Sequence, residues 1–327
     1  MEIRTLGAGE REALLELLDG WPLPDGWRGR DFFRRYVEDD PSYRDENIWV
    51  AAEAGRLLAC VQIFPRTLRA GGAALALGGI GSVFTHPERR GSGIASALLA
   101  SAEAAMRERG MAVGMLFTGR LGWYESLGWL RWPSARAIYL REDPGAARPC
   151  DAELCAFDAG RDLADVKAIH AAYDAPRDGT VVRGEADWEG SLRVAGNPDE
   201  TFRVARRDGA ITAYARMTAL EGHPILSEFG RRDDAAGDLA ALLDAAFASG
   251  GGAFGPAPAD AELEKALAER AVGVRPLGDP NSMLRCLDPV ALRAAAGAGT
   301  RAGESDADLL ARILPPERLL FWPADRF

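Results

Sequence analysis

A chain of 327 residues, 47% hydrophobic and 27% charged, has the makeup of a folded protein of about two domains and not of a disordered one. Its formal charge of −10 argues against a nucleic-acid partner, which requires a basic face. No window approaches the ~20 apolar residues of a membrane span and the opening MEIRTLGAGERE has no apolar signal-peptide core, so no membrane association and a cytoplasmic location are expected.

EIRTL reads as a strand, and Glu10 to Leu18 as a short amphipathic helix, with a second helix around Asp31 to Val37. NIWVAAEAG and RLLACVQIF are two strand-like runs joined at a turn containing Gly55. ALALGGIGSVF is a further strand, and SGIASALLASAEAAMRERG a long Ala-rich helix ended by Gly110. AVGMLF reads as a buried strand, GWYESLG as a short helical turn, and SARAIYL as the strand that closes an α/β domain.

The second half repeats this order. FRVARRDGAITAYARM matches the hairpin layout of IWVAAEAGRLLACVQIF, with Asp208-Gly209 at its turn, and SEFGRRDDAAGDLAALLDAAFASGG parallels SVFTHPERRGSGIASALLASAEA. A strand near Ala253, a helix from Asp260 to Arg270 and a last strand at SMLRCLDP complete the expected duplication. The join is expected where Pro144, Gly145 and Pro149 interrupt both periodicities. The expected domains are therefore 1–145 and 146–290, with a tail at 291–327. In that tail Ser305 and Asp308 have the spacing of a helix capping box.

Cys60, Cys150, Cys155 and Cys286 form no CxxC pair and sit in or beside apolar runs, so buried free thiols are expected. His86, His170 and His223 lack any ligand spacing such as HExxH, and no metal is expected.

The stretch that carries chemistry runs from Ser82 to Ala95, a strand end, a tight loop and a helix start. A helix N-terminus offers unpaired N–H groups and partial positive charge to phosphate oxygens. Gly91 and Gly93 let the backbone approach a ligand with no Cβ in the way, and Arg89 and Arg90 add positive charge. There is no GxGxxG after the first strand and no GxxxxGK[ST], so neither a Rossmann site nor a P-loop is indicated.

Glu88-Arg-Arg-Gly91-Ser-Gly93 after a strand and before a helix resembles the [Q/R]xxGxG/A signature of the GNAT acetyltransferases, with glutamate at its first position. The resemblance implies an α/β (α+β) fold of two tandem GNAT-like domains, each a mixed, largely antiparallel sheet flanked by helices. It implies acetyl-CoA as cosubstrate, its pyrophosphate held by main-chain N–H groups from Arg89, Arg90, Gly91, Ser92, Gly93, Ile94 and Ala95. It further implies that Ser82, Val83 and Phe84 pair with pantetheine and polarise the thioester carbonyl.

The tandem arrangement is similar to the enhanced-intracellular-survival family of acetyltransferases. In that family a tyrosine after the fifth strand is the general acid and the terminal carboxylate the general base. The matching residues here are Tyr124, in Trp123-Tyr-Glu-Ser-Leu-Gly128, and Phe327. That family carries a full sterol-carrier-like third domain, where this chain has only 291–327. In the second half Arg231-Arg232-Asp233-Asp234-Ala235 stands where the first has Arg89-Arg90-Gly91-Ser92-Gly93, and two carboxylates there would repel a pyrophosphate. The expected activity is direct N-acetylation of a primary amine, small molecule or peptide. The alternatives are a non-catalytic acyl-CoA binding or sensing module and a scaffold for homo-oligomer assembly.

Overall fold

The computed structural model describes residues 1–142, 148–194, 200–248, 251–278, 281–297, 299 and 301–327. The join expected at Pro144 and Gly145 lies outside them. In chain order the first half forms β1 (Glu2–Thr5), α1 (Arg11–Leu18), α2 (Gly29–Glu38), β2 (Ile48–Glu53), β3 (Arg56–Ala70) and β4 (Ala73–Thr85). It continues with α3 (Ile94–Glu108), β5 (Val113–Phe117), α4 (Leu121–Ser126), β6 (Leu130–Arg131) and β7 (Ala135–Arg141). The second half forms β8 (Glu153–Ala156), α5 (Ala159–Asp174), α6 (Glu185–Val194), β9 (Thr201–Arg207), β10 (Ala210–Leu220) and β11 (His223–Arg231). Then come α7 (Ala236–Phe247), β12 (Gly252–Pro256), α8 (Ala261–Glu269), β13 (Val272–Gly278), β14 (Ser282–Cys286), α9 (Pro289–Ala295) and α10 (Asp306–Ile313).

Two seven-stranded sheets result, ordered β1-β2-β3-β4-β5-β14-β6 and β8-β9-β10-β11-β12-β7-β13. Both are antiparallel except for one parallel pair each, β4 with β5 and β11 with β12. The two orders superimpose on each other strand for strand, which is the expected duplication. One detail is not: each sheet takes its sixth strand from the other half. β7, expected to close the first domain, pairs with β12 and β13, while β14 pairs with β5 and β6. The sheets thus cut across the expected bounds of 1–145 and 146–290. Period-two alternation reports which face of a strand is buried; it does not report which strand supplies the hydrogen bonds.

α3 packs on the first sheet through Ile94, Leu98, Leu99, Ala102, Ala105 and Met106, one stripe at helical spacing. On the opposite face, Leu68, Leu75, Leu77 and Met115 pack against Leu292, Leu309, Leu310, Leu314, Leu319 and Phe321 of the C-terminal segment. The capping box of α10 forms as expected, Ser305 and Asp308 each accepting from the other's backbone N–H. The segment 319–322 is extended between the two halves, and its alternation is decisive. Leu319 and Phe321 enter the core of the first sheet, and Leu320 and Trp322 that of the second. The four cysteines are free thiols, Cys60 and Cys286 buried and the other two half-buried.

Candidate active site

The loop between β4 and α3 is exposed, and its two glycines both have positive φ, +77° at Gly91 and +79° at Gly93. A Cβ on either would meet nothing within 4 Å, so the backbone there is open to an incoming ligand. Gly93 is the N-cap of α3 and supplies no side-chain cap, which leaves the first-turn amides of Ile94 and Ala95 to another acceptor. The loop is braced from its flanks: Arg89 pairs with Glu53, Ser92 Oγ donates to the Arg89 carbonyl, and Arg90 Nε donates to the Thr85 carbonyl at 3.2 Å. The Arg90 guanidinium also lies 5.7 Å from the Phe84 ring centroid.

β4 runs alongside β3 as far as Thr85, but alongside β5 only from Leu77 to Ile80. Beyond Ile80 the strands β4 and β5 splay, and among the described residues no strand pairs with the β5-facing edge of Gly81 to Thr85. Within that stretch Ser82 has φ +50° and the register with β3 shifts between Cys60 and Gln62. Two buried side chains hold the distortion: Cys60 Sγ donates to the Ser82 carbonyl at 3.1 Å, and Ser82 Oγ donates to Gln62 Oε1 at 3.1 Å.

Tyr124, on α4, is buried in the cluster that contains Ile80, Ile94, Leu98 and Leu116, on the α3 side of the splay. Its ring meets Trp123 edge-on at 4.5 Å and Trp129 at 6.2 Å. Burial drives its phenol pKa upward, with Arg120 a smaller opposing influence. The hydroxyl therefore stays protonated and able to donate.

Phe327 lies on the other face of the same sheet. Its ring stacks on Phe64 at 5.5 Å and meets Phe117 and Phe321 at 5.7 and 5.9 Å. It passes over Gly79, where an added Cβ would come within 2.5 Å of the ring. Its carboxyl carbon would be 3.2 Å from a Cβ on Gly81, so the carboxyl group sits against β4 one residue before Ser82. The sequence GGIGS now has an explanation at alternate positions. Gly78 faces α3, where Met106 fills the space, and Gly79 and Gly81 face Phe327. The expected site residues are thus gathered around one splay: Ser82 to Ala95 along its edge and mouth, Tyr124 and Phe327 on its two faces.

A family model for the acetyltransferase (GNAT) domain matches residues 2–131. The chain carries a GNAT acetyltransferase domain. The fold of the whole chain is also that of solved GNAT proteins. A GCN5-related N-acetyltransferase from Anabaena variabilis aligns at TM-score 0.70 and 17% identity, covering 95% of this chain and 80% of the other. Eis1 from Mycobacterium abscessus aligns at TM-score 0.62 and 18% identity, covering 90% and 75%. Saccharomyces cerevisiae N-myristoyltransferase with bound myristoyl-CoA aligns at TM-score 0.58 and 13% identity, covering 87% and 78%. No curated protein sequence matches this one. Acyl transfer is the chemistry that the GNAT domain supports in general.

Sequence reasoning overlooked Gln62, Gly79 and Gly81 and read Cys60 only as a buried thiol; all four shape the site without bearing on its chemistry directly. The Gly-x-Gly at 79 and 81 was the available signal, since two glycines on one face of a strand mark a close approach. The second-half counterpart of the loop is anchored at Arg231, while Arg232, Asp233 and Asp234 stay exposed. Arg231 is buried against Asp260 at 2.8 Å, and Asp234 pairs with Arg207 at 3.4 Å. Among the described residues no group of three His, Cys, Asp or Glu side chains could hold a metal ion, and no helix is long and apolar enough to cross a membrane.

Proposed function

We propose that this chain transfers an acetyl group from acetyl-CoA to a primary amine by direct attack, using the splay between β4 and β5. One observation carries the reading: an uncapped helix N-terminus, an unpaired strand edge and a carboxyl group converge there, with Phe327 against Gly81. The loop from Arg89 to Ala95 takes the pyrophosphate, the uncapped first turn of α3 supplying free N–H donors at the helix's positive end. The edge from Ser82 to Phe84 pairs with pantetheine, and its N–H groups polarise the thioester carbonyl.

An alkylamine is almost wholly protonated at neutral pH, with a reference pKa near ~10, and attacks only as the free base. The Phe327 carboxylate accepts that proton. Nitrogen bonds to the acetyl carbon, the C–S bond breaks, and Tyr124 donates its proton to the departing thiolate, while the proton shed by the newly acylated nitrogen restores the phenol. The N-myristoyltransferase fold, solved with an acyl-CoA, supports a thioester cosubstrate for this fold. The carboxyl group at the splay favours turnover over mere acyl-CoA binding.

The test is thiol release from acetyl-CoA across a panel of primary amines, together with calorimetric titration of CoA. Acceptor-dependent thiol release and one CoA site per chain are expected. Two equivalent sites, or binding that survives Gly91→Glu with Gly93→Glu, would reject the assignment.

A further inference from the structure

The residues just before Phe327 are held by the other half of the chain. Trp322 is fully buried and its Nε1 donates to the Asp174 carboxyl group on α5, at 3.1 and 3.2 Å. Asp325 accepts from Arg183 Nε at 2.7 Å, and Arg183 Nη2 donates to Glu228 of β11 at 2.6 Å. The Arg183 side chain is 1% exposed and that of Glu228 0%. Glu228 is fixed in turn by the Tyr214 hydroxyl at 2.8 Å and lies 3.6 Å from Arg216, which pairs with Glu200 at 2.7 Å. Each of these partners belongs to the second half, whereas Phe327 rests on the first sheet.

We infer that the second half acts as a clamp for the catalytic base, with Arg183, pinned by Glu228, gripping Asp325 so that the carboxylate of Phe327 is held against Gly81. This rests on the reading of that carboxylate as the base. A base two residues beyond a fixed side chain has little freedom left, and its stem is already locked by Trp322. Burial pulls the Arg183 pKa down, but Asp325 and Glu228 overcome this and keep it charged. Burial likewise pushes Glu228 up, and Arg183 with Arg216 bring it down to about 2. Half of the duplicated chain, having no pyrophosphate loop, thereby gains a role in catalysis. Arg183, Glu228 and Asp325 are positioning residues, and none of them meets the substrate.

The test compares four forms of the full chain: Asp325→Asn, Arg183→Met, Arg183→Lys, and wild type extended by a short C-terminal peptide. Each is assayed with an alkylamine and with hydroxylamine, a weaker base already unprotonated at neutral pH, and titrated with CoA. Asp325→Asn and Arg183→Met should lower kcat for the alkylamine at least about tenfold, part of the ~10²–10⁴ a general base supplies. They should leave hydroxylamine turnover and CoA affinity within about threefold. Arg183→Lys, which keeps the charge near Asp325, should recover part of the loss. Equal losses with both acceptors, or lost CoA affinity, would mark the cluster as purely structural and overturn the clamp. No loss in these variants, while the extended chain shows the acceptor-dependent defect, rejects the clamp and leaves the terminal base standing. Full activity of the extended chain rejects both. Should Arg183→Met fail to fold, as removal of a buried charge often causes, the near-isosteric Asp325→Asn decides.

Discussion

Tyr124 combines a packing role with the proton-donor role proposed for it. Its ring completes the cluster between α3 and the splayed strands, and that burial is the cause of its raised pKa. The sign matters. A raised pKa favours the neutral phenol, so the hydroxyl keeps its proton at neutral pH. Tyr124→Phe preserves the ring contacts with Trp123 and Trp129 and removes only the proton. Turnover should fall by about 10²–10⁴-fold with CoA affinity nearly unchanged, because the donor acts only as the thiolate leaves. Steady-state kinetics and titration on the same preparation measure both, and a kcat within a few-fold of wild type would return Tyr124 to packing alone.

At the scale of the element, β4 does three jobs along its length. Leu77 to Ile80 bond to β5, Gly79 and Gly81 receive Phe327, and Ser82 begins the distorted edge. Gly79→Val would place its branched side chain where the Phe327 ring lies, since even a Cβ would come within 2.5 Å. The ring must leave, and the carboxyl group with it. The variant should therefore bind CoA normally, as Gly91 and Gly93 are untouched, yet lose most of its turnover. Unimpaired turnover would mean that the seat of Phe327 is irrelevant to catalysis. The loop at Gly91 and Gly93 was legible in the sequence because its signal is local: a strand, two glycines, a helix. The alternation of Leu319, Leu320, Phe321 and Trp322 lies in the sequence too, but which sheet each side chain enters does not. What Gly79 and Gly81 accommodate was not legible, because the ring lies some 250 residues away in sequence and only the folded chain brings it back. Arg183 and Asp325 escaped notice for the same reason. Each reads as a surface charge until the burial of its partner is known.

Across the whole molecule, the duplication predicts the two sheets but not the exchange of β7 and β14 between them. The exchange has a consequence for stability. Residues 1–142 alone would leave β5 without β14, and would lose Met283 and Leu284, both fully buried in the first half's cores. Burying such a side chain contributes about 1.5–3 kcal/mol, so these two alone approach the lower end of the ~5–15 kcal/mol by which a domain is stable. The same fragment would also lose Leu309, Leu310, Leu314, Leu319 and Phe321 from the face opposite α3. The second half is no more self-sufficient. Without β7 it would lose Tyr139, which is fully buried and donates to the Pro256 carbonyl at 2.6 Å. A further tie joins β3 to the segment 179–182: the Arg69 N–H donates to the Thr180 carbonyl at 2.9 Å, and the Gly179 and Val182 N–H groups donate to the Arg69 and Thr67 carbonyls at 2.7 and 2.8 Å. Fragments 1–142 and 148–327, expressed apart, should each remain unfolded or aggregate, whereas the intact chain should melt in one transition. Differential scanning calorimetry and the amide spectra of each fragment give the answer. Two well-separated transitions in the intact chain, or a dispersed spectrum from 1–142 alone, would show that the exchanged strands are ornamental. A single transition would mean that the half bearing the GNAT loop and the half bearing Arg183 fold as one unit, so a destabilising change in either is felt at Phe327.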